Sequence, residues 1–268
     1  MTTVLHVAPH PDDESIGAPC TLLGLADSGA RVVVVAGGLG RPGHHDRRRR
    51  ELAAACASGG LDLVIREPPV ALGSRDDLPA AERILAPWIS ELIDEHRADL
   101  VIGPHLHDIH PAHEAVARAV REAIRGSSRP PVWWSHAIWS DLRHPTLIVP
   151  QRPAVVERAV TMLSCHAGEV ARNDYVDMVR AAGRLAAIRG VERVLGFGSH
   201  ALPHARHAEL LTEVGLVSGR WRFGVPRITT TPALPIEWGA DAARFVDGTS
   251  ASPAVRDTAR DPIDTTSK

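Results

Sequence analysis

Residues 4–14 have the sequence VLHVAPHPDDE, which joins a short apolar run to a turn crowded with acidic side chains and a histidine. Four similar runs follow, each beside turn residues, at Val32–Ala36, Leu61–Ile65, Leu100–Ile102 and Val132–Trp134. Such runs are typical of buried parallel strands. Helix-like stretches separate them, at Ser15–Asp27, Arg47–Ala57, Ala80–Glu95 and Pro111–Ile124. The alternation predicts an α/β fold with a doubly wound, mostly parallel, Rossmann-like sheet.

The second half of the chain has a different pattern, which predicts a mainly helical C-terminal part. Helices are expected at Ala154–Ser164 and Asp174–Arg189, before a short strand-like stretch at Gly219–Gly224. We expect one domain over residues 1–246, in which residues 151–246 cap or edge the core formed by residues 1–150. Residues 247–268 contain few apolar side chains, so a disordered tail is expected there.

The composition favours a globular enzyme or binding domain. The chain has 268 residues, 44% of them hydrophobic and 23% charged, unlike disordered, fibrous or membrane proteins. A net charge of −2 provides no broad positive field for nucleic acid or anionic lipid, so we expect a small-molecule partner. Three scattered cysteines and the lack of a leader-like or membrane-spanning segment predict a soluble cytoplasmic protein. The oligomeric state stays open.

Two clusters of ligand-type side chains follow predicted strands. The first is His10, Asp12, Asp13 and Glu14; the second has four histidines between His105 and His113. Ligands of open parallel sheets bind beyond the carboxyl ends of the strands, where neighbouring strand ends can converge on one ion. Acidic residues at a helix N-terminus are also favourable for the helix dipole alone. Two clusters at equivalent strand ends favour the metal-site interpretation.

These clusters resemble the two motifs of the LmbE-like, or PIG-L type, metal-dependent N-deacetylases. The first motif, His-Pro-Asp-Asp-Glu, is matched without a gap by residues 10–14. The second, His-Pro-Asp-His, appears as His110-Pro111-Ala112-His113, in which Ala112 replaces the acid. Weaker similarities lie at Arg48–Glu51, at Leu72–Asp76 and at Cys165–Glu169.

The resemblance implies a role for each matched residue. His10, Asp13 and His113 are expected to bind zinc, with another divalent ion as the alternative. Two imidazoles and one carboxylate suit zinc and leave positions for water and a substrate carbonyl. Asp12 is expected to act as general base on the metal-activated water, and His110 to stabilise the oxyanion. Glu14 is expected to support the site from behind or to cap the helix.

Substrate contacts are expected from Arg48 and Asp76, which the resemblance places near sugar hydroxyls, and from Trp139. For Arg48 the competing interpretation is a solvated face, because it lies in a run of four arginines. Trp133 and Trp134 should point to opposite faces of a strand, which puts at least one in the core. Seven further histidines are expected at the surface or as capping residues, with His166 as the exception to watch: His44, His45, His136, His166, His200, His204 and His207.

The sequence therefore predicts a zinc-dependent hydrolase that removes an N-acetyl or longer N-acyl group from an N-acetylglucosamine-type sugar on a small-molecule conjugate. We favour a glycosylated natural product, such as a glycopeptide antibiotic pseudoaglycone, with a deacetylase or amidase of mycothiol metabolism as the alternative. A non-catalytic metal- or sugar-binding module is the competing class, since Ala112 replaces the acid of the second motif. A nucleotide-binding protein is disfavoured because no Gly-rich phosphate loop follows the first strand.

Overall fold

The computed structural model describes residues 1–200, 202, 205–229 and 236–247. Its strands are β1 Thr3–Ala8, β2 Arg31–Ala36, β3 Asp62–Ile65, β4 Leu100–Pro104, β5 Val132–His136, β6 Leu147–Gln151, β7 His207–Val217, β8 Arg220–Gly224, β9 Arg227–Ile228 and β10 Trp238–Asp241. Its helices are α1 Asp13–Ile16, α2 Pro19–Asp27, α3 His45–Gly59, α4 Leu78–Glu95, α5 Pro111–Gly126, α6 Pro153–Ser164, α7 Ala167–Val170, α8 Tyr175–Leu195 and α9 Ala243–Val246.

The sheet has a parallel half made from the first part of the chain. The strands run in the order β10-β8-β7-β5-β4-β1-β2-β3, and those from β5 to β3 are parallel. The five strands expected from the sequence are all present here, and the predicted fold class is confirmed. Because β1 and β4 are direct neighbours, the loops that follow them meet at one edge of the sheet.

The C-terminal half contributes helices α6 and α8, as expected, and also an antiparallel extension of the sheet. Strand β7 pairs with β5 and β8 through its second half and with β6 through its first half. The sequence did not reveal β7 because Glu209 and Glu213 interrupt its apolar pattern. Glu209 is half-buried and accepts from the first turn of α2, while Glu213 is buried and accepts from Trp134 Nε1 at 2.8 Å.

The sequence predicts one helix over Ser15–Asp27, and this prediction is wrong because the structure has two helices there. The chain breaks between α1 and α2, where Pro19 occupies the start of the second helix. Gly17 lies at the break against the ring of His136, and a Cβ on Gly17 would fall 2.3 Å from His136 Cε1. The close approach of a buried ring therefore requires glycine here.

Apolar layers cover both faces of the sheet. Trp133 packs in one layer with residues of α4 and α5, and Trp134 packs in the other with residues of α2, α3 and α6. The expected alternation is confirmed, and both indoles belong to the core. Among the described residues, no helix is both long and apolar enough to cross a membrane. The expected tail lies outside the described residues except for Asp247, which follows α9.

Candidate metal centre

The loop after β1 and the first turn of α5 bring three ligand-type side chains together. His10 and Asp13 follow β1, while Pro111 begins α5 and places His113 in its first turn. The ligand atoms of these three residues all lie within 4.8 Å of one another. Asp13 lies between the two rings, with one carboxylate oxygen 3.3 Å from His10 Nδ1 and the other 3.4 Å from His113 Nε2.

The chemistry of this donor set fits a divalent ion. His113 is buried, and its Nε2 has no hydrogen-bond partner among the described residues. Burial would raise the pKa of Asp13, but His113 and His10 outweigh it and hold that pKa well below its usual range. The carboxylate is therefore ionised, as a ligand must be. Two nitrogens and one carboxylate oxygen leave room for further ligands on the ion.

Asp12 lies beside this cluster in a strained backbone conformation. Its φ is 125° and its ψ is −23°, a region that costs a non-glycine residue about 1–3 kcal/mol. Its amide donates to Glu14 Oε2 at 3.0 Å, which holds this conformation. Burial, followed by the charge of Asp13, raises the pKa of Asp12 well above its usual value, while Arg48 opposes the shift. Such a carboxyl can accept a proton and return it.

Arg48 turns inward from the arginine run on α3. Its side chain is only 12% exposed, it donates to the carbonyl of Pro11 at 2.6 Å, and it lies 3.5 Å from Asp12 Oδ1. Its Nη1 also lies 3.5 Å from Oε1 of Glu169, which is in α7. Arg48 is therefore not part of a solvated face. It holds the turn that carries Asp12 and provides a cation at the edge of the cluster.

His110 is the second expected catalytic residue, and the structure places it against the cluster. Its ring centroid lies 4.8 Å from that of His113 and 5.0 Å from that of His10. Burial, together with the charges of these two histidines, lowers the pKa of His110 to about 4. The ring is thus neutral near neutral pH, with one N–H to donate.

Asp108 is a site residue that sequence reasoning missed. One of its carboxylate oxygens lies 3.4 Å from His113 Nδ1, and the other accepts from the His110 amide at 3.1 Å. A carboxylate behind a ligating histidine fixes the ring and its tautomer. Ala112 faces the apolar layer, but a carboxylate nevertheless reaches these histidines from Asp108. The available signal was an acid inside the histidine cluster, two residues before His110.

Glu14 and His166 support the site from behind. Glu14 Oε1 lies 2.6 Å from both His166 Nε2 and Ser15 Oγ, while its other oxygen accepts from the Asp12 amide. All three side chains are buried. His166 precedes α7, so this bond joins the C-terminal helices to the turn that carries Asp12.

Asp76 and Trp139, the other expected substrate contacts, lie away from the cluster. Asp76 is exposed in the loop before α4, where its amide donates to Ser74 Oγ. Trp139 is half-buried after β5 and lies edge-on to Tyr175, with ring centroids 6.1 Å apart. In the described part of the chain, no hydrogen bond or ring contact joins either side chain to the metal ligands.

Solved structures show that the same fold occurs in several proteins. A conserved protein from Thermus thermophilus covers 79% of this chain and 94% of its own, with 18% identity and a TM-score of 0.59. A teicoplanin deacetylase in a zinc-inhibited form covers 79% and 97%, with 18% identity and a TM-score of 0.59. A 4-carboxy-2-hydroxymuconate hydratase from Pseudomonas putida covers 87% and 100%, with 17% identity and a TM-score of 0.60. The likeness establishes the fold and does not choose between reactions.

Sequence comparison finds similarity to one family over the first part of the chain. A probable N-acetyl-α-D-glucosaminyl L-malate deacetylase from Bacillus cereus is 33% identical over 138 residues, which cover 45% of this chain and 60% of that protein. The match therefore spans less than two thirds of the length of this relative. Residues 5–124 match the model of the PIG-L family, described as GlcNAc-PI de-N-acetylase. The matched range contains the three residues of the cluster as well as Asp12 and His110, so this part of the chain is similar to the PIG-L, or LmbE-like, family.

Proposed function

We propose that this protein is a divalent-metal-dependent N-deacetylase that acts on an N-acetylglucosamine-type sugar carried by a small molecule. The observation that carries the proposal is the position of Asp12, a buried carboxyl with a raised pKa beside three converging ligands. A site that only binds a metal or a sugar has no need of such a base. The family match and the relative from Bacillus cereus, which is named as a deacetylase, support the same reaction class.

His10, Asp13 and His113 would hold the ion, for which zinc is our proposal. When bound, a divalent ion polarises the amide carbonyl and lowers the pKa of water. Asp108 keeps the His113 ring turned toward the cluster through its 3.4 Å contact with Nδ1. The protein thereby supplies a ligand set whose geometry exists before substrate binds.

Asp12 and His110 would move the proton and stabilise the developing charge. Asp12 accepts a proton from the attacking water and returns it to the nitrogen of the leaving amine, which becomes the free amino sugar. Arg48, 3.5 Å away, keeps the side chain of Asp12 in position through both transfers. His110 is neutral and donates its ring N–H to the oxyanion that forms from the amide oxygen.

For the group that carries the sugar, we propose a glycosylated natural product, such as a glycopeptide pseudoaglycone. The support is the shared fold of a teicoplanin deacetylase over most of the chain. The small polar conjugate in the name of the Bacillus cereus relative makes a compact acceptor of the mycothiol kind the alternative. The two are separated by comparing kcat/KM for the inositol conjugate of N-acetylglucosamine with that for an aryl-peptide conjugate. A clear preference for the inositol conjugate would favour the compact acceptor.

The Asp12→Asn variant tests the reaction itself. The substitution keeps the shape of the side chain and removes the base, so turnover should fall by about 10²–10⁴-fold while zinc remains bound. Amine release from N-acetylglucosamine conjugates measures turnover, and elemental analysis measures zinc. Asp46→Asn, on the exposed start of α3, is the matched control and should behave as the unmodified protein. Full activity of Asp12→Asn, or no amine release from any conjugate by the zinc-loaded protein, would overturn the proposal.

A further inference from the structure

A cavity of about 250 Å³ lies in the C-terminal half of the fold, between α8, the start of β7 and the loop that follows β5. Apolar side chains from three elements form much of its lining: Val156, Met178, Val179, Ala182, Ala186 and Leu210. Pockets that hold a whole drug-sized ligand measure roughly 300–1,000 Å³. This cavity is smaller, so it suits one substituent of a ligand.

The cavity adjoins the metal cluster without including it. Its lining contains Ile16, three residues after Asp13, and Ile138, whose amide lies 3.5 Å from an oxygen of Asp108. None of the three metal ligands lines it, and neither do Asp12 and His110. One molecule could therefore place its reacting amide at the cluster and a second, more distant group in the cavity.

The charged groups around the cavity are already engaged within the protein. Arg189 and Arg193 both pair with Asp141, and Arg193 also donates to the carbonyl of Leu142. Glu209 accepts from the Cys20 amide and from the amide and hydroxyl of Thr21. What these walls offer an incoming group is chiefly apolar surface. Leu185, also in the lining, is 48% exposed and marks the side open to solvent.

We propose that this cavity binds an aliphatic chain on the aglycone of the amino-sugar substrate. The inference rests on the proposed deacetylase function. The chain of an N-acyl group would begin at the carbonyl carbon, which must lie at the cluster, whereas the lining ends short of every cluster residue. An aglycone is joined to a different carbon of the sugar, so its chain can extend beyond Ile16 and Ile138 into the cavity.

The first experiment compares two glycosides of N-acetylglucosamine, the methyl and the hexyl. A fully buried methylene is worth about fourfold in affinity, so partial burial of five more should raise kcat/KM at least about tenfold. Ala182→Trp fills the cavity and should reduce the hexyl preference to about one while the methyl glycoside is hydrolysed as before. Ala181→Trp is the matched control, because both alanines are exposed on the same helix and only Ala182 belongs to the lining. It should keep the preference.

A binding measurement separates this proposal from the proposed function. Hexyl β-glucoside has the chain but no amide, so calorimetry should detect its binding to the zinc-loaded protein and to Ala181→Trp, and at least tenfold weaker binding to Ala182→Trp. This result would support the cavity site even if no conjugate were deacetylated. Equal binding to all three proteins would overturn it. Preferential hydrolysis of N-hexanoyl over N-acetyl glucosamine, abolished by Ala182→Trp, would also overturn it by assigning the cavity to the acyl group.

Discussion

Asp12 illustrates how a single residue can be held in an unfavourable conformation where chemistry is expected. Its positive φ is stabilised from two sides, by the bond from its own amide to Glu14 and by the bond from Arg48 to the carbonyl of Pro11. A carboxylate on an unstrained turn would point elsewhere relative to the ligands. The neighbours of Asp12 therefore matter for its direction as well as for its pKa.

Asp108 should control how tightly the ion is bound. The Asp108→Asn variant keeps the size of the side chain but loses the charge beside His113 Nδ1, so zinc affinity should fall about 10–100-fold. Competition with a chelator of known affinity measures the change. Asp76→Asn, on the exposed loop before α4, provides the comparison and should leave the affinity unaltered. If Asp108→Asn bound zinc as tightly as the unmodified protein, this carboxylate would have no role in orienting the ligand.

The N-terminus of α2 is held by a side chain from a strand that is distant in sequence. Glu209 on β7 accepts from the amides of Cys20 and Thr21, at 2.9 and 2.7 Å, and from the Thr21 hydroxyl at 2.6 Å. A carboxylate at a helix N-terminus satisfies free N–H groups and complements the helix dipole. The antiparallel extension is thereby joined to the helix that follows the turn with Asp12 and Asp13.

The Glu209→Gln variant should weaken this connection. The amide has one acceptor oxygen and no charge, so the free energy of unfolding should fall by about 1–3 kcal/mol. Urea denaturation measures the change, and Glu157→Gln, at an exposed position of α6, serves as the control with an expected change below about 0.5 kcal/mol. An unchanged midpoint for Glu209→Gln would show that the carboxylate contributes nothing to the stability of the native state.

The sequence predicts best the elements that are buried on both faces, because these consist mostly of apolar residues. Strands β1, β2 and β4 are buried on both faces, so their runs of valine, isoleucine and leucine identify them. Strand β7 is not predicted from the sequence because the partners of its two glutamates are known only from the folded chain. Asp108 is not predicted for the same reason, since only the folded chain shows that this loop residue contacts His113.

Several histidines are buried in the protein in their neutral form. His6 in β1 stacks on His136 with ring centroids 5.7 Å apart, and both are almost fully buried, so the surface position expected for His136 is wrong. Burial lowers the pKa of His6 to about 4, although Glu14 and Asp13 oppose the shift, and burial also lowers the pKa of His136 and brings that of His105 to about 4. These rings resist protonation as long as the protein is folded.

The protein should therefore lose stability in mild acid. An unfolded histidine binds its proton near pH 6.5, whereas folded His6 does so only near pH 4, so the contribution is complete above about pH 6.5 and decreases as the pH falls toward 4. For His6 alone the free energy of unfolding should drop by about 2 kcal/mol between about pH 7.5 and about pH 5. Urea midpoints at the two pH values measure it in the presence of a chelator.

The His6→Leu variant should show a smaller drop than the unmodified protein, because the leucine has no proton to bind in either state. His44→Leu is the control, since His44 is exposed and its removal should leave the difference between the two pH values unchanged. If His6→Leu lost as much stability in acid as the unmodified protein, other groups would account for the whole effect.

The cluster and the cavity come from different parts of the chain, which bears on how such proteins can diversify. The cluster lies between residues 10 and 113, whereas most of the cavity lining comes from residue 137 onward. Mutations on the exposed side of α8 change the lining of the cavity without replacing any of His10, Asp13 and His113. Under the proposed function, substitutions in this part of the chain would change which acceptor is bound while the residues assigned to hydrolysis stay the same.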